Sequence, residues 1–517
     1  MYIFLKSRLK EHMLPIIFFL FFTGFFILTT TYFPYSVRHL GFDQGAFSYL
    51  GLAMKNGLVP YTQAWDNKGP LLYLINMFAI LIHYDYGMFP LEMVTLFVTM
   101  IFLYRAALFF SGKTIATIAT LFSMMLLSIT IQGGNMSEEF SLPFLAFILL
   151  RAVQFFFQKR QLSSFSIFGV GVSVGAIFLL RVNNLAFPVA ISFVMLYALY
   201  RHKEWKMMWR IVMLVTVGCI CMIAPFMFYL FVNGAFFEYV NAALFTLSGF
   251  SHPGKLTALR NIHNMLTGVN ITGLYSFSIL FLALMVTLFA KKHFLPNEKK
   301  YPLWFCFWGI LLNLAFNCLS GYGFYHYCMT FIPILVVPLA WCLNGLKNLL
   351  KKMSGNEWKS IFLVGALVFF VSYESFVFTT NFILTNIREA GGPFNSLHNL
   401  TNYVVDVTEE NDKIQVIGFD SAPAIYYHTN RLAASRYFYT DIEAFTDDFS
   451  NKINKEVAAA IIEEEPKLLL FPKEREYTAF LASLPADDQF DEYVAEYYEL
   501  QDGVPNYYIA YLRKDAE

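Results

Sequence analysis

A carboxylate at Asp43 and an ammonium at Lys68 lie in one polar, glycine-punctuated stretch, Pro34 to Pro70, bounded by apolar sequence. It reads Gly41-Phe42-Asp43-Gln44-Gly45-Ala46-Phe47-Ser48-Tyr49, then Asn56-Gly57-Leu58-Val59-Pro60-Tyr61, then Trp65-Asp66-Asn67-Lys68-Gly69-Pro70-Leu71. A carboxylate can take the proton from an acceptor hydroxyl, and a cation can meet charge developing on a departing phosphate. Three further stretches carry groups of the same kind: Gln132-Gly133-Gly134-Asn135-Met136-Ser137-Glu138-Glu139-Phe140, Arg181-Val182-Asn183-Asn184, and Gly321-Tyr322-Gly323-Phe324-Tyr325-His326-Tyr327. Together they suit group transfer from a lipid phosphate at a membrane surface. Each also has a purely structural reading. Asp43 can cap a helix, Asp66 and Lys68 can belong to a solvated turn, and Glu138 and Glu139 can favour a helix dipole with Ser137 as cap. Arg181 can snorkel, and His326 can sit in an interfacial aromatic belt.

The elements that hold these residues are membrane helices. Of 517 residues 57% are hydrophobic, 19% aromatic and 14% charged, against roughly a quarter charged in a soluble domain. This excludes a soluble chain, a disordered one and a nucleic-acid binder. Met13 to Phe33 follows the basic residues Lys6, Arg8 and Lys10 and is long enough to cross ~30 Å of hydrocarbon. No small-residue cleavage site follows, so it is expected to be an uncleaved anchor. Further spans are expected near 89–110, 114–131, 142–158, 162–180, 185–200, 211–232, 271–290, 302–319, 328–346 and 360–380, making eleven. Leu71 to His83 is too short to span and is expected to be a surface or re-entrant helix.

With the N-terminus inside, the inner segments hold 19 Lys and Arg and the outer loops before residue 381 hold six, as the excess of cations in cytoplasmic loops requires. The four chemically interesting stretches then share the outer face. Net charge is zero, but residues 1–380 carry 26 basic and 12 acidic side chains, and 381–517 carry 11 and 25. The expected architecture is therefore a mostly α, polytopic membrane part, 1–380, with first outer loop 34–70, and an extracytoplasmic α/β domain, 381–517. In the latter, strands are expected at Lys413–Phe419, Lys467–Phe471 and Tyr507–Leu512, and an amphipathic helix at Lys452–Glu464. Pro423 to Arg431 reads as a strand-to-helix connection. The six cysteines form no CxxC pair and read as small core residues.

Phe42-Asp43-Gln44-Gly45, Gly57 with Pro60-Tyr61, and Trp65 to Pro70, followed by Glu138-Glu139-Phe140 and the Tyr325-His326-Tyr327 loop, resemble the C-type polytopic glycosyltransferases. The likeness is to the bacterial branch related to the protein O-mannosyltransferases and the aminoarabinose transferase of lipid A, including rhizobial core transferases, over residues 15–350. It implies a polyprenyl-phosphate-linked monosaccharide donor and an envelope glycan or lipid acceptor. It also implies a catalytic base in the first outer loop, here Asp43, and a phosphate-holding lysine, here Lys68 in Lys-Gly-Pro instead of Lys-Pro-Pro. Arg181 and His326 correspond to further donor-phosphate groups. Gln44 replaces a second acid, for which Asp66, Glu138 or Glu139 stand as supporting acids. Metal use varies in the superfamily; a divalent metal is compatible, and no spacing here picks one. Two other classes fit the composition. A transporter or lipid flippase would need charge within the spans, for which Arg151 and Glu374 are the main candidates. A membrane-anchored envelope-binding protein would place its function in the outer domain.

Overall fold

The structure, a computed structural model, describes residues 2–33, 40–131, 133–158, 161–245, 297–319, 324–389, 396–418, 422–440, 447–472, 477–485, 489–505 and 508–514. The expected span 271–290 and the Gly321-Tyr322-Gly323 turn lie outside them. In chain order the helices are α1 (Tyr2–Ile27), α2 (Phe42–Lys55), α3 (Pro70–Ile82), α4 (Met88–Ala107), α5 (Lys113–Met124), α6 (Leu127–Thr130), α7 (Ser137–Phe157), α8 (Ser164–Leu180), α9 (Ala186–Arg201), α10 (Trp205–Val232) and α11 (Phe236–Val240). There follow α12 (Asn297–Leu319), α13 (Phe331–Ser354), α14 (Glu357–Glu389), α15 (Ser396–Val407), α16 (Ala422–Thr429), α17 (Asp447–Glu464), α18 (Tyr477–Ala482) and α19 (Phe490–Tyr497). The chain divides into two compact units: Met1–Ser36, Phe89–Pro225 and Gly254–Arg388 form one, and Val37–Met88, Phe226–Pro253 and Glu389–Glu517 form the other.

The first unit is a helical membrane body. Among the described residues five segments are long and apolar enough to cross a bilayer, Met88–Ala107, Ser137–Phe157, Val182–Arg201, Trp205–Val232 and Tyr325–Ser354, or six if Glu357–Tyr373 and Ser375–Leu384, bent by 56°, make one span. His12–Ile27 and Ser164–Leu180 are shorter apolar helices. The expected continuous run 114–131 is instead broken into α5 and α6. Hydroxyls of Thr120, Ser123, Ser128 and Thr130 bond back to carbonyls of the preceding turn, a pattern that bends helices. Packing is closest where glycines remove the side chain. A Cβ on Gly171 would collide with the Val215 carbonyl, and one on Gly218 with that of Phe168, so α8 and α10 cross nearly backbone to backbone.

The second unit combines Val37–Met88 with the C-terminal segment. Its sheet has order β2-β1-β3-β5-β4, with β1 (Lys413–Val416), β2 (Leu432–Ala433), β3 (Leu468–Pro472), β4 (Tyr498–Gln501) and β5 (Tyr508–Arg513). β1 pairs in parallel with β2 and with β3 (Ile414 opposite Leu468), and β5 runs antiparallel to β3 and β4. β3 is buried at Leu468 to Phe471, which explains its unbroken apolar run. β2 and β4 had no sequence signal, being two and four residues long. The stretch from Pro423 is helix α16, not a plain connection. The short helix α3, 13 residues, is ~20 Å long at 1.5 Å per residue and falls short of a ~30 Å core.

Candidate functional site

Asp43 occupies the first turn of α2, one residue inside a helix whose N-cap is Gly41, with no side-chain cap. The capping reading of Asp43 is therefore not realised; its carboxylate instead lies in the positive end of the helix dipole. It is half-buried, and among the described residues it makes no hydrogen bond or ion pair. Gln44 is buried and folds back so that its Oε1 covers the Cα of Gly41. One turn after Asp43, the ring of Phe47 carries the Lys68 ammonium at 5.6 Å from its centroid. Lys68 Nζ also donates to Asn67 Oδ1 at 2.7 Å. The loop thus sets a carboxylate, unpaired among the described residues, and an ammonium along one helix end.

Asp66 is placed very differently. It is buried, and its Oδ2 accepts from the Tyr73 hydroxyl at 2.9 Å and its Oδ1 from the Tyr439 hydroxyl at 3.1 Å. The Lys68 N–H donates to Tyr73 Oη at 3.0 Å, and Tyr61 donates to the Lys68 carbonyl at 2.8 Å. Tyr61 itself takes φ 73°, closing the turn with its N–H on the Ala64 carbonyl at 2.7 Å. These phenols lock the Lys68 backbone while leaving its side chain to the loop surface.

The C-terminal segment completes this arrangement. Tyr439 packs edge-on against Phe42 at 4.9 Å, and Trp65 lies among Tyr437, Tyr439 and Phe449 at 5.5 to 6.2 Å. Trp65 N–H donates to the Arg436 carbonyl at 2.9 Å, while the Arg436 guanidinium reaches Glu456 at 2.6 Å and stacks on Tyr437 at 4.8 Å. Burial, followed by the Asp66 and Asp43 charges, pushes the Tyr439 phenol well above its ordinary value, so it remains a proton donor. Close approach of α2 to α16 depends on Gly45, where a Cβ would come within 2.9 Å of the Ala424 backbone nitrogen.

In the membrane unit the structure brings together Glu138, Arg181 and His326. Arg181 is ion-paired with Glu138 and lies over the Tyr327 ring at 4.0 Å. The Ser137 hydroxyl donates to Glu138 Oε2 at 2.9 Å, so Ser137 serves the carboxylate; the N-cap is Met136, with no side-chain cap. His326 is buried, parallel to Phe324 at 5.4 Å and edge-on to Tyr327 at 4.6 Å. Arg181 is thus matched by a carboxylate and does not simply snorkel.

Glu139 turns elsewhere, toward Glu92, both fully buried. Glu92 Oε1 accepts the Asn135 N–H at 2.8 Å, and Asn135 Nδ2 donates to Tyr32 Oη at 2.9 Å. Gly133, Gly134 and Asn135 take φ of 96°, 84° and 54°, and a Cβ on Gly134 would collide with Glu92, which is why this turn reads Gly-Gly-Asn. Among the described residues no three His, Cys, Asp or Glu side chains converge to hold a metal ion.

Sequence reasoning missed Tyr73, Tyr439, Arg436 and Glu92. The acid inside an apolar run was a usable signal for Glu92. Nothing local marked the others.

A family model described as "Putative competence-induced protein Ccs4 N-terminal domain" matches residues 6–387. No curated protein matches the chain. Among solved structures, ArnT from Cupriavidus metallidurans bound to undecaprenyl phosphate is similar with TM-score 0.62 and 11% identity, over 97% of this chain and 98% of that one. An oligosaccharyltransferase from Archaeoglobus fulgidus in complex with Zn and sulfate gives TM-score 0.55 and 14% identity, over 96% and 73%. The same organism's AglB, in complex with an inhibitory peptide and a dolichol-phosphate, gives 0.54 and 14%, over 98% and 75%. The chain therefore has the fold of the C-type polytopic glycosyltransferases.

Proposed function

Because the chain belongs to the Ccs4 N-terminal-domain family and has this fold, we propose that it is an integral-membrane glycosyltransferase. It moves a monosaccharide from a polyprenyl-phosphate donor to an envelope glycan or lipid acceptor. The observation that carries the assignment of roles is the contrast between two carboxylates of one loop. Asp66 has both oxygens engaged by buried phenols, whereas Asp43 is unpaired among the described residues and half-exposed at a helix N-terminus. A general base needs a free lone pair directed at an incoming hydroxyl. Asp43 has one, and Asp66 is an anchor.

In the reaction the acceptor oxygen attacks the anomeric carbon as the bond from that carbon to the phosphate oxygen breaks. The acceptor proton passes to Asp43, and the electron pair leaves with the phosphate, whose charge Lys68 meets. A single in-line displacement inverts the anomeric centre. Arg181 keeps N–H donors beyond the one engaged by Glu138, and with His326 forms the second set of groups assigned to the donor phosphate. The topology in this reading has eleven spans, the N-terminus inside, and residues 381–517 outside.

The test is transfer by the purified chain in nanodiscs, supplied with a panel of undecaprenyl-phosphate monosaccharides and the host's envelope fraction. Asp43→Asn should lower turnover by roughly 10²–10⁴-fold, the range of general-base contributions, with an unchanged melting profile. Turnover equal to wild type would overturn the assignment. The envelope glycan profile with and without the gene then identifies the sugar.

A further inference from the structure

Arg151 has no part in the proposed transfer, and among the described residues it is the one charged side chain on a groove of about 190 Å³ in the membrane unit. The walls come from α7, α8, α9 and α10 and are otherwise almost wholly apolar, with Val170, Pro188, Leu196 and Val215 representative. The groove faces hydrocarbon: only 6% of the apolar window of α10 is buried, and Met213 and Phe193 are 62% and 68% exposed. Lipid is its natural solvent, and the question is which lipid.

The guanidinium answers it. Arg151 spends one nitrogen on Gln154 Oε1 at 2.7 Å and lies over Phe147 at 4.8 Å. Its Nε is buried without a hydrogen-bond partner among the described residues, a cost of ~1–3 kcal/mol for an unsatisfied donor, more for a charged group. Phe147 in turn meets Phe102 of α4 at 5.5 Å, and Arg105, one turn further along α4, is near enough to repel Arg151. Two guanidiniums in mutual repulsion, with no carboxylate paired to either among the described residues, call for an anion. The neighbouring helix ends carry Lys113, Arg201, Lys206 and Arg210, the basic end of the bundle, which the proposed topology makes cytoplasmic.

We propose that this groove binds one anionic glycerophospholipid of that leaflet, its phosphate on Arg151 with Arg105 beside it and an acyl chain along α8 to α10. Anionic head groups gain about 1 kcal/mol per nearby Lys or Arg, and the apolar walls supply the rest. The site requires only the membrane body and is independent of the transferase reading.

The full chain, reconstituted in vesicles of equal phosphatidylglycerol and phosphatidylethanolamine and re-extracted in mild detergent, is read by native mass spectrometry for retained lipid. Wild type should keep one phosphatidylglycerol per chain. Arg151→Gln, which removes the charge, and Ser192→Phe, which fills the groove from an exposed position, should each cut retention at least tenfold. Thr216→Phe is a second filling variant, and Lys352→Gln, at an exposed position outside the groove lining, should leave retention as in wild type. Equal retention of both lipids, undiminished retention by Arg151→Gln, or preferential retention of undecaprenyl phosphate when it is added at equal amount would each overturn the proposal.

Discussion

Replacing Tyr439 by Phe removes one hydroxyl and little volume, so its effect isolates the bond to Asp66. In the wild type that carboxylate is 3% exposed and accepts two phenols, at 2.9 and 3.1 Å. The variant leaves Oδ1 of a buried carboxylate without its donor, since the Tyr73 hydroxyl already serves Oδ2. A hydrogen bond to a charged group contributes about 1.5–3 kcal/mol, and water has no easy route to a site walled by Trp65, Phe42 and Tyr437. We expect a loss near ~2 kcal/mol, which for a unit of this size is a fall of about 4–8 °C in melting temperature. Differential scanning fluorimetry of the detergent-solubilised chain measures it. In a double-mutant cycle, Asp66→Asn and Tyr439→Phe should fall short of additivity by at least ~1 kcal/mol, as directly bonded residues do. The phenol gives a second readout. Because folding raises its pKa above the unfolded value near 10, the stability it contributes is complete below pH 10 and declines as pH rises further. Tyr439→Phe should flatten that alkaline decline. A variant that melts with wild type, shows additive energies and keeps the alkaline decline would refute the anchor reasoning.

Other expected outcomes follow from the same contacts. Lys68→Ala should raise the donor KM and lower kcat/KM at least tenfold with folding intact; unchanged donor kinetics would contradict its role. Arg181→Met leaves Glu138 buried and unpaired and should destabilise by about 3–5 kcal/mol; adding Glu138→Leu should restore a large part of it, as thermal melts would report. Gly51→Ala puts a Cβ within 2.7 Å of Asn76 in α3, so melting should show a loss of ~1–3 kcal/mol.

The membrane character of the chain was legible residue by residue, because an apolar run long enough to cross a bilayer is a local property of the sequence. The helix carrying Asp43, the short apolar α3, the strands β1 and β3 and the cationic loop ends were readable on the same ground. Asp43 and Lys68 could be nominated from one loop, since both the glycines that shape it and the charges it carries lie within it. The roles of the acids could not be sorted that way. Asp66 and Asp43 look alike in sequence, and what separates them is a tyrosine 373 positions downstream of Asp66.

What tertiary structure alone decided is which charges are spent. Glu138 meets Arg181 across 43 residues, Glu139 turns to Glu92, and Asp66 is closed off by Tyr439, leaving Asp43 unpaired among the described residues. The apolar pattern that lays down helices is set by neighbours three and four positions apart. Partners of a buried charge are set by where distant segments meet, because a desolvated carboxylate must find a donor wherever the fold brings one.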